Sequence, residues 1–108
     1  MVPPAAGPEA GEMITLHIEH AITDFDTWRA AFARFDQARQ QAGVRRHVVR
    51  RPVDDPHHVS IDLEFAEVGE AVAFERFLRQ TVWATPAHSP ALHGSPVTSI
   101  LQEESLGA

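Results

Sequence analysis

Met13-Ile14-Thr15-Leu16-His17-Ile18-Glu19-His20-Ala21-Ile22 is the stretch that decides the fold. Ile14, Leu16, Ile18 and Ile22 fall on one side, and Thr15, His17, Glu19 and Ala21 on the other, with His20 interrupting the apolar row. A period of two with β-branched residues is the pattern of a strand with two unlike faces. The pattern then changes. Phe25, Trp28, Phe32 and Phe35 recur at steps of three and four, which predicts one helix over Asp24–Ala42 with a single aromatic stripe. Thr23 or Asp24 can cap its start, Asp26 complements the positive end of the helix dipole, and Gly43 suits the position just past its end.

Working outward, Val44–Arg51 reads as a second strand. A Pro/Asp loop, Pro52–Pro56, leads to the cleanest alternation in the chain, His57–Phe65, where Val59, Ile61, Leu63 and Phe65 oppose His58, Ser60, Asp62 and Glu64. The short connection predicts a hairpin. Glu67–Val82 carries a second helical stripe (Ala71, Phe74, Phe77, Leu78 and Val82), ended at the latest by Thr85-Pro86. A loop holding His88 and His93 follows, and Val97–Gln102 is a short last strand. The order β-α-β-β-α-β predicts an α+β, ferredoxin-like domain, with a four-stranded antiparallel sheet and both helices on one face. The first and third strands are expected to be central neighbours.

The domain so defined spans residues 13–102, with residues 1–12 read as a flexible Pro/Gly/Ala tail and residues 103–108 as a C-terminal tail. One domain is what 108 residues allow, and a core this small gains from association. The helices cover one face of the sheet, so the other needs a partner or must be polar. Either assignment of the two rows on the central strands turns one of them toward a second copy, and a homodimer is expected.

Composition excludes several functions. There is no Cys, hence no disulfide, thiolate metal site or Cys nucleophile, in keeping with a reducing, cytoplasmic setting. No apolar run reaches the length of a membrane span, and the N-terminus lacks the basic and apolar regions of a signal peptide. Nine Arg against fifteen Asp+Glu give a net charge of −6, which disfavours nucleic acid as a partner although six Arg lie between Arg34 and Arg51. Seven His in so short a chain supply groups that titrate near neutrality. No phosphate-binding Gly loop, zinc motif or Ser-His-Asp order is present.

The chemistry-bearing candidates are few. His17 and Glu19 share a strand face, and Asp62 and His58 can meet them across the sheet. Such a set serves as a general base oriented by a carboxylate, or as a polar ladder at a dimer interface. His17 and Glu19 with His58 also fit a two-His, one-carboxylate metal site, a pattern common by chance that ranks below the metal-free reading. His88 lies on a loop after a helix, where catalytic groups are often found, and is equally readable as an exposed loop residue. Trp83 walls a pocket or plugs the core. Trp28, Phe32 and Phe77 are core residues that can also hold a flat ring if a gap lies among them.

These features together resemble the dimeric α/β-barrel superfamily, and most of all its antibiotic-biosynthesis-monooxygenase branch. The likeness covers Met13 to Gln102. It rests on the first strand, the helix with Phe25-Asp26-Thr27-Trp28, Phe32 and Phe35, the His58–Phe65 strand after a Pro/Asp loop, and Trp83-Ala84-Thr85-Pro86-Ala87-His88. The resemblance implies a pocket between helices and sheet, lined by a polar residue of the first strand and one near the end of the second helix. His17 and Glu19 take the first-strand positions. Thr85-Pro86-Ala87-His88 is similar to the His-Pro-Ala-His segment of the family's polyketide cyclases, making His88 the counterpart of their base. The Tyr pair of those cyclases has no counterpart, and Glu19 replaces the first-strand Asn of haem-degrading members.

The implied function is a cofactor-independent monooxygenase or polyketide cyclase, an oxidoreductase in the first case. It would act on an aromatic or polyketide-like molecule, with His17 or His88 as base, Glu19 or Asp62 orienting it, and Trp83, Trp28, Phe32, Phe77 and His58 at the substrate. The competing expectations are a non-catalytic dimeric module that binds a small molecule or haem, and a metal-dependent oxygenase.

Overall fold

The computed structural model describes residues 13–106. The reading of residues 1–12, and of 107–108, as tails lies outside the described residues. Strand β1 (Ile14–Ile22) sits next to β3 (His58–Phe65) in a four-stranded sheet of order β2-β3-β1-β4, with every neighbouring pair antiparallel. The alternation of β1 and β3 is realised residue by residue: Ile14, Leu16, Ile18, Ile22, Val59, Ile61, Leu63 and Phe65 are all buried under the helices, none more than 5% exposed. Each such side chain contributes roughly 1.5–3 kcal/mol on leaving water. The pairing Leu16↔Leu63 and His17↔Asp62 places the apolar row on the helix side and the polar row on the open side.

The expected single first helix is two: α1 (Phe25–Arg34) and α2 (Asp36–Ala42). Asp24 caps α1, its Oδ2 accepting from the backbone N–H and the hydroxyl of Thr27 at 2.8 Å each. In a continuous helix the Phe32 carbonyl would accept from the N–H of Asp36. Here it accepts from the N–H of Phe35 at 3.2 Å and from Arg39 Nη1 at 2.7 Å, and the chain turns at Phe35. Gly43, at φ +97°, closes α2: its own N–H donates to Gln40 O and that of Val44 to Arg39 O.

β2 (Arg46–Arg50) is shorter than its apolar pattern and forms the expected hairpin with β3. The second predicted helix runs as α3 (Val68–Phe77) and then widens into a π turn over Leu78–Val82, where the N–H of Trp83 bonds the carbonyl five residues back at 2.7 Å. β4 (Leu92–Gln102) begins five residues before the expected strand. Gly94 and Pro96 disguise its start as a loop, but β4 pairs only with β1, and an edge strand tolerates Pro. The register of β1 against β4 shifts between Glu19 and Ala21, a bulge centred on His20. Among the described residues no helix is long and apolar enough to cross a membrane.

Candidate functional site

A cavity of about 70 Å³ lies between the sheet and the helical layer. Its walls are aromatic and aliphatic, with Trp28, Phe32, Phe35 and Trp83 above and Ile18, Ile61 and Leu63 on the sheet. Trp28 is stacked between Phe25 and Phe32, at ring-centroid distances of 5.7 and 4.9 Å, so the α1 stripe forms one column. The polar side chains in the lining are His20, Arg39, His88 and Ser89, and none of the lining residues is acidic.

Each of the two imidazoles has its Nδ1 tied to a backbone carbonyl. His20 is 5% exposed and its Nδ1–H donates to the Ala21 carbonyl at 2.9 Å. Nε2 is therefore the nitrogen with the lone pair. Burial pushes the His20 pKa below its ordinary value, which keeps the ring neutral. His88 stands at the exposed end of the cavity, edge-on to Phe35 at 5.9 Å, with Nδ1–H donating to the Thr81 carbonyl at 3.1 Å. Ser89 Oγ donates to the Val82 carbonyl at 3.0 Å. His88 and Ser89 thus serve carbonyls at the end of the π turn that helical bonding leaves open, and Nε2 is the His88 nitrogen not used in that bond.

Arg39 is the deepest charge, its side chain 6% exposed. Its guanidinium lies over the Phe32 ring, 3.6 Å from carbon to centroid. Nη1 donates to Phe32 O, and Nη2 is 3.6 Å from the exposed Asp36 carboxylate. Nε is buried and has no partner among the described residues.

The other titratable groups gather on the open face of the sheet. His17 Nδ1 donates to Asp62 Oδ1 at 2.6 Å and Nε2 to Glu19 Oε2 at 2.8 Å. His58 Nε2 reaches the second oxygen of Glu19 at 3.2 Å, and Arg50 Nη1 donates to Asp62 Oδ2 at 3.0 Å. A neutral imidazole has one N–H and cannot donate twice, so His17 sits in this network as the imidazolium. Its hydrogen bond to Glu19, then that to Asp62, raises its pKa. Glu19 moves the opposite way, lowered by its bonds to His17 and His58.

The structure therefore divides the residues singled out from the sequence. Trp28, Phe32, Trp83 and His88 meet at the cavity. His17, Glu19, His58 and Asp62 form the open-face network, across the sheet from it. Both nitrogens of His17 are occupied by carboxylates, which leaves no lone pair for proton abstraction. Phe77 packs on the core beside Phe35 and Phe74 and lines a shallow groove between α2 and α3. The described residues contain no group of three His, Asp or Glu placed to hold a metal ion.

His20, Arg39 and Ser89 of the cavity escaped sequence reasoning, although the first two left a trace. His20 occupies the even-numbered, buried row of β1, so strict alternation points it inward. Arg39 continues the spacing 25, 28, 32, 35, 39 and therefore belongs to the buried stripe.

No family model matches the sequence, and no curated protein is significantly similar to it. Solved structures are similar. A dimeric ferredoxin-like protein from an uncultured marine organism aligns at a TM-score of 0.63 and 12% identity, over 84% of this chain and 94% of its own. A candidate antibiotic biosynthesis monooxygenase from Bordetella bronchiseptica aligns at 0.63 and 12%, over 85% and 97%. SnoaB, a cofactor-independent oxygenase from Streptomyces nogalater, aligns at 0.59 and 16%, over 90% and 96%. At these identities the likeness establishes the fold: the chain is α+β and ferredoxin-like, and it is similar in structure to proteins described as a dimeric ferredoxin-like protein, a candidate antibiotic biosynthesis monooxygenase and a cofactor-independent oxygenase.

Proposed function

We propose that this chain is a small-molecule enzyme of the cofactor-independent oxygenase or cyclase type. One observation carries the reading: His20 is a buried neutral imidazole at an aromatic-walled cavity, with Nδ1 tied to the backbone and Nε2 left as a base. His88, the counterpart suggested by the cyclase-like segment, stands at the exposed end and is the second candidate. The base removes a proton from a phenolic hydroxyl or from carbon next to a carbonyl. The resulting carbanion either adds O₂ and loses water to give a quinone, or attacks a carbonyl of the same molecule and closes a ring. Trp28, Phe32 and Trp83 hold the ring and exclude water.

Size narrows the substrate. A cavity of about 150 Å³ accommodates benzene, and this one is about 70 Å³. A single ring therefore asks less expansion of the cavity than a polycyclic phenol does. Small phenols and enolisable ketones are therefore the class to screen. Turnover would be followed with and without O₂ in wild type, His20→Asn and His88→Asn. Loss of turnover in one variant with binding retained identifies the base. Full activity in both variants would refute the catalytic reading and leave a binding module.

The open face supports the homodimer. Val97 and Leu101 of β4 are 66% and 49% exposed there, beside the charged network. Solved structures of this fold include proteins described as dimeric. A double variant, Val97→Lys with Leu101→Lys, is expected to sediment as a monomer; a wild-type monomer at micromolar concentration would refute the pairing.

A further inference from the structure

We infer that Arg39 makes the cavity a receptor for an anionic oxygen, so that the ligand is a small organic anion such as an aromatic or enolisable carboxylate. The inference rests on the cavity being the ligand site. Three observations support it. The Arg39 side chain is more than nine-tenths buried and lines the cavity. Its Nε is enclosed and has no hydrogen-bond acceptor among the described residues, an arrangement that folded proteins avoid unless another group completes it. The remaining polar lining, His20, His88 and Ser89, brings no carboxylate into the cavity.

The guanidinium is only partly compensated. Nη1 is spent on the neutral Phe32 carbonyl, and the nearest carboxylate, Asp36, is 3.6 Å from Nη2 and solvent-exposed. A guanidinium holds its charge even in such surroundings and presents its N–H groups in a fixed fork, suited to an oxyanion. Stacking on Phe32 fixes the plane of the guanidinium, and a ligand oxygen reaches the enclosed Nε once the side chains packed around it give way. A carboxylate at Nε leaves the rest of the ligand among the cavity aromatics, within the same lining as the His20 imidazole.

The test compares benzoate with benzamide, which has the same size and no charge, and with phenol. Binding is measured by calorimetry and by the Arg39 Nε–H cross-peak in a nitrogen–proton correlation spectrum. Benzoate is expected to bind roughly tenfold more tightly than benzamide, the difference between a charge-assisted and a neutral hydrogen bond. It is also expected to move the Nε–H peak. In Arg39→Met, which keeps the stem over Phe32, the preference should fall to within about twofold while phenol still binds. Equal binding of benzoate and benzamide to wild type, or a static Nε–H peak, overturns the inference and leaves the cavity reading standing. Silence from all three compounds overturns both. If Arg39→Met does not fold, the wild-type ratio and the Nε–H peak decide alone.

Discussion

Replacing His17 with Gln tests the charged state assigned to the open-face network. The imidazolium donates to Asp62 at 2.6 Å and to Glu19 at 2.8 Å. The His17–Asp62 pair is 27% and 22% exposed, so that bond retains much of the roughly 1.5–3 kcal/mol of a charge-assisted hydrogen bond. Glu19 is 48% exposed, and screening cuts its share to about 0.5 kcal/mol. Gln donates from one end only and carries no charge, so the loss is about 2 kcal/mol, or roughly 10 °C in Tm for a domain of this size. The sign with pH follows from the raised pKa of His17. Its stabilisation is complete below the unfolded value of 6.5 and disappears as pH rises through the higher folded value. The assay is urea unfolding of both proteins between pH 5.5 and 9, at one protomer concentration, since dimer dissociation would otherwise move the midpoint. The gap should be widest at pH 5.5–6.5 and shrink to under about 1 kcal/mol at pH 9, where a neutral imidazole donates once. A gap that stays constant across this range would refute the imidazolium assignment.

Other substitutions test the local arguments. Asp24→Ala removes the cap that binds both Thr27 donors and should lower the urea midpoint without changing cavity binding. Gly43→Ala places a side chain at φ +97° with its Cβ 2.6 Å from Glu70 Oε2, and Glu70 also accepts from the N–H of Glu67. The expected loss is roughly 1–3 kcal/mol, read as a lower denaturation midpoint with unchanged slope. Phe65→Ala empties a fully buried position on the central strand and should cost about 3–5 kcal/mol, enough to unfold much of the protein near 37 °C.

The strands and their order were legible because alternation is a local property of the chain. The rows of β1 and β3 are so cleanly divided that the central pair and the hairpin follow from them. What alternation alone left open was which row faces the helices, since both faces of this sheet can be covered. The side chains of Phe25, Trp28 and Phe32 settle that by packing on the apolar row. The break at Phe35 was invisible because it depends on a tertiary bond, Arg39 to the Phe32 carbonyl, which no helical spacing records. The π turn and the early start of β4 were hidden for the opposite reason. The helical stripe runs through Val82 without a breaker, and Gly94 and Pro96 imitate a loop inside an edge strand.

His17 and His20 show why the site was harder to read than the fold. They stand three apart on one strand, so they face opposite sides, and the sequence offers the same side chain in both places. His17 meets two carboxylates and is fixed as a cation, which suits it to holding strands or subunits together. His20 meets a backbone carbonyl and an aromatic cavity, and burial fixes it as a neutral base. The two states are reinforced by the charges around them: the carboxylates of the central strands lie on the open face, whereas the cavity holds the unpaired Nε of Arg39 and no acid. A proton taken from a ligand at His20 would therefore leave an anion in a cavity whose lining includes a guanidinium and no carboxylate to repel it. That sorting of charge by sheet face, more than the presence of any one histidine, is the feature on which the proposed carbanion chemistry rests.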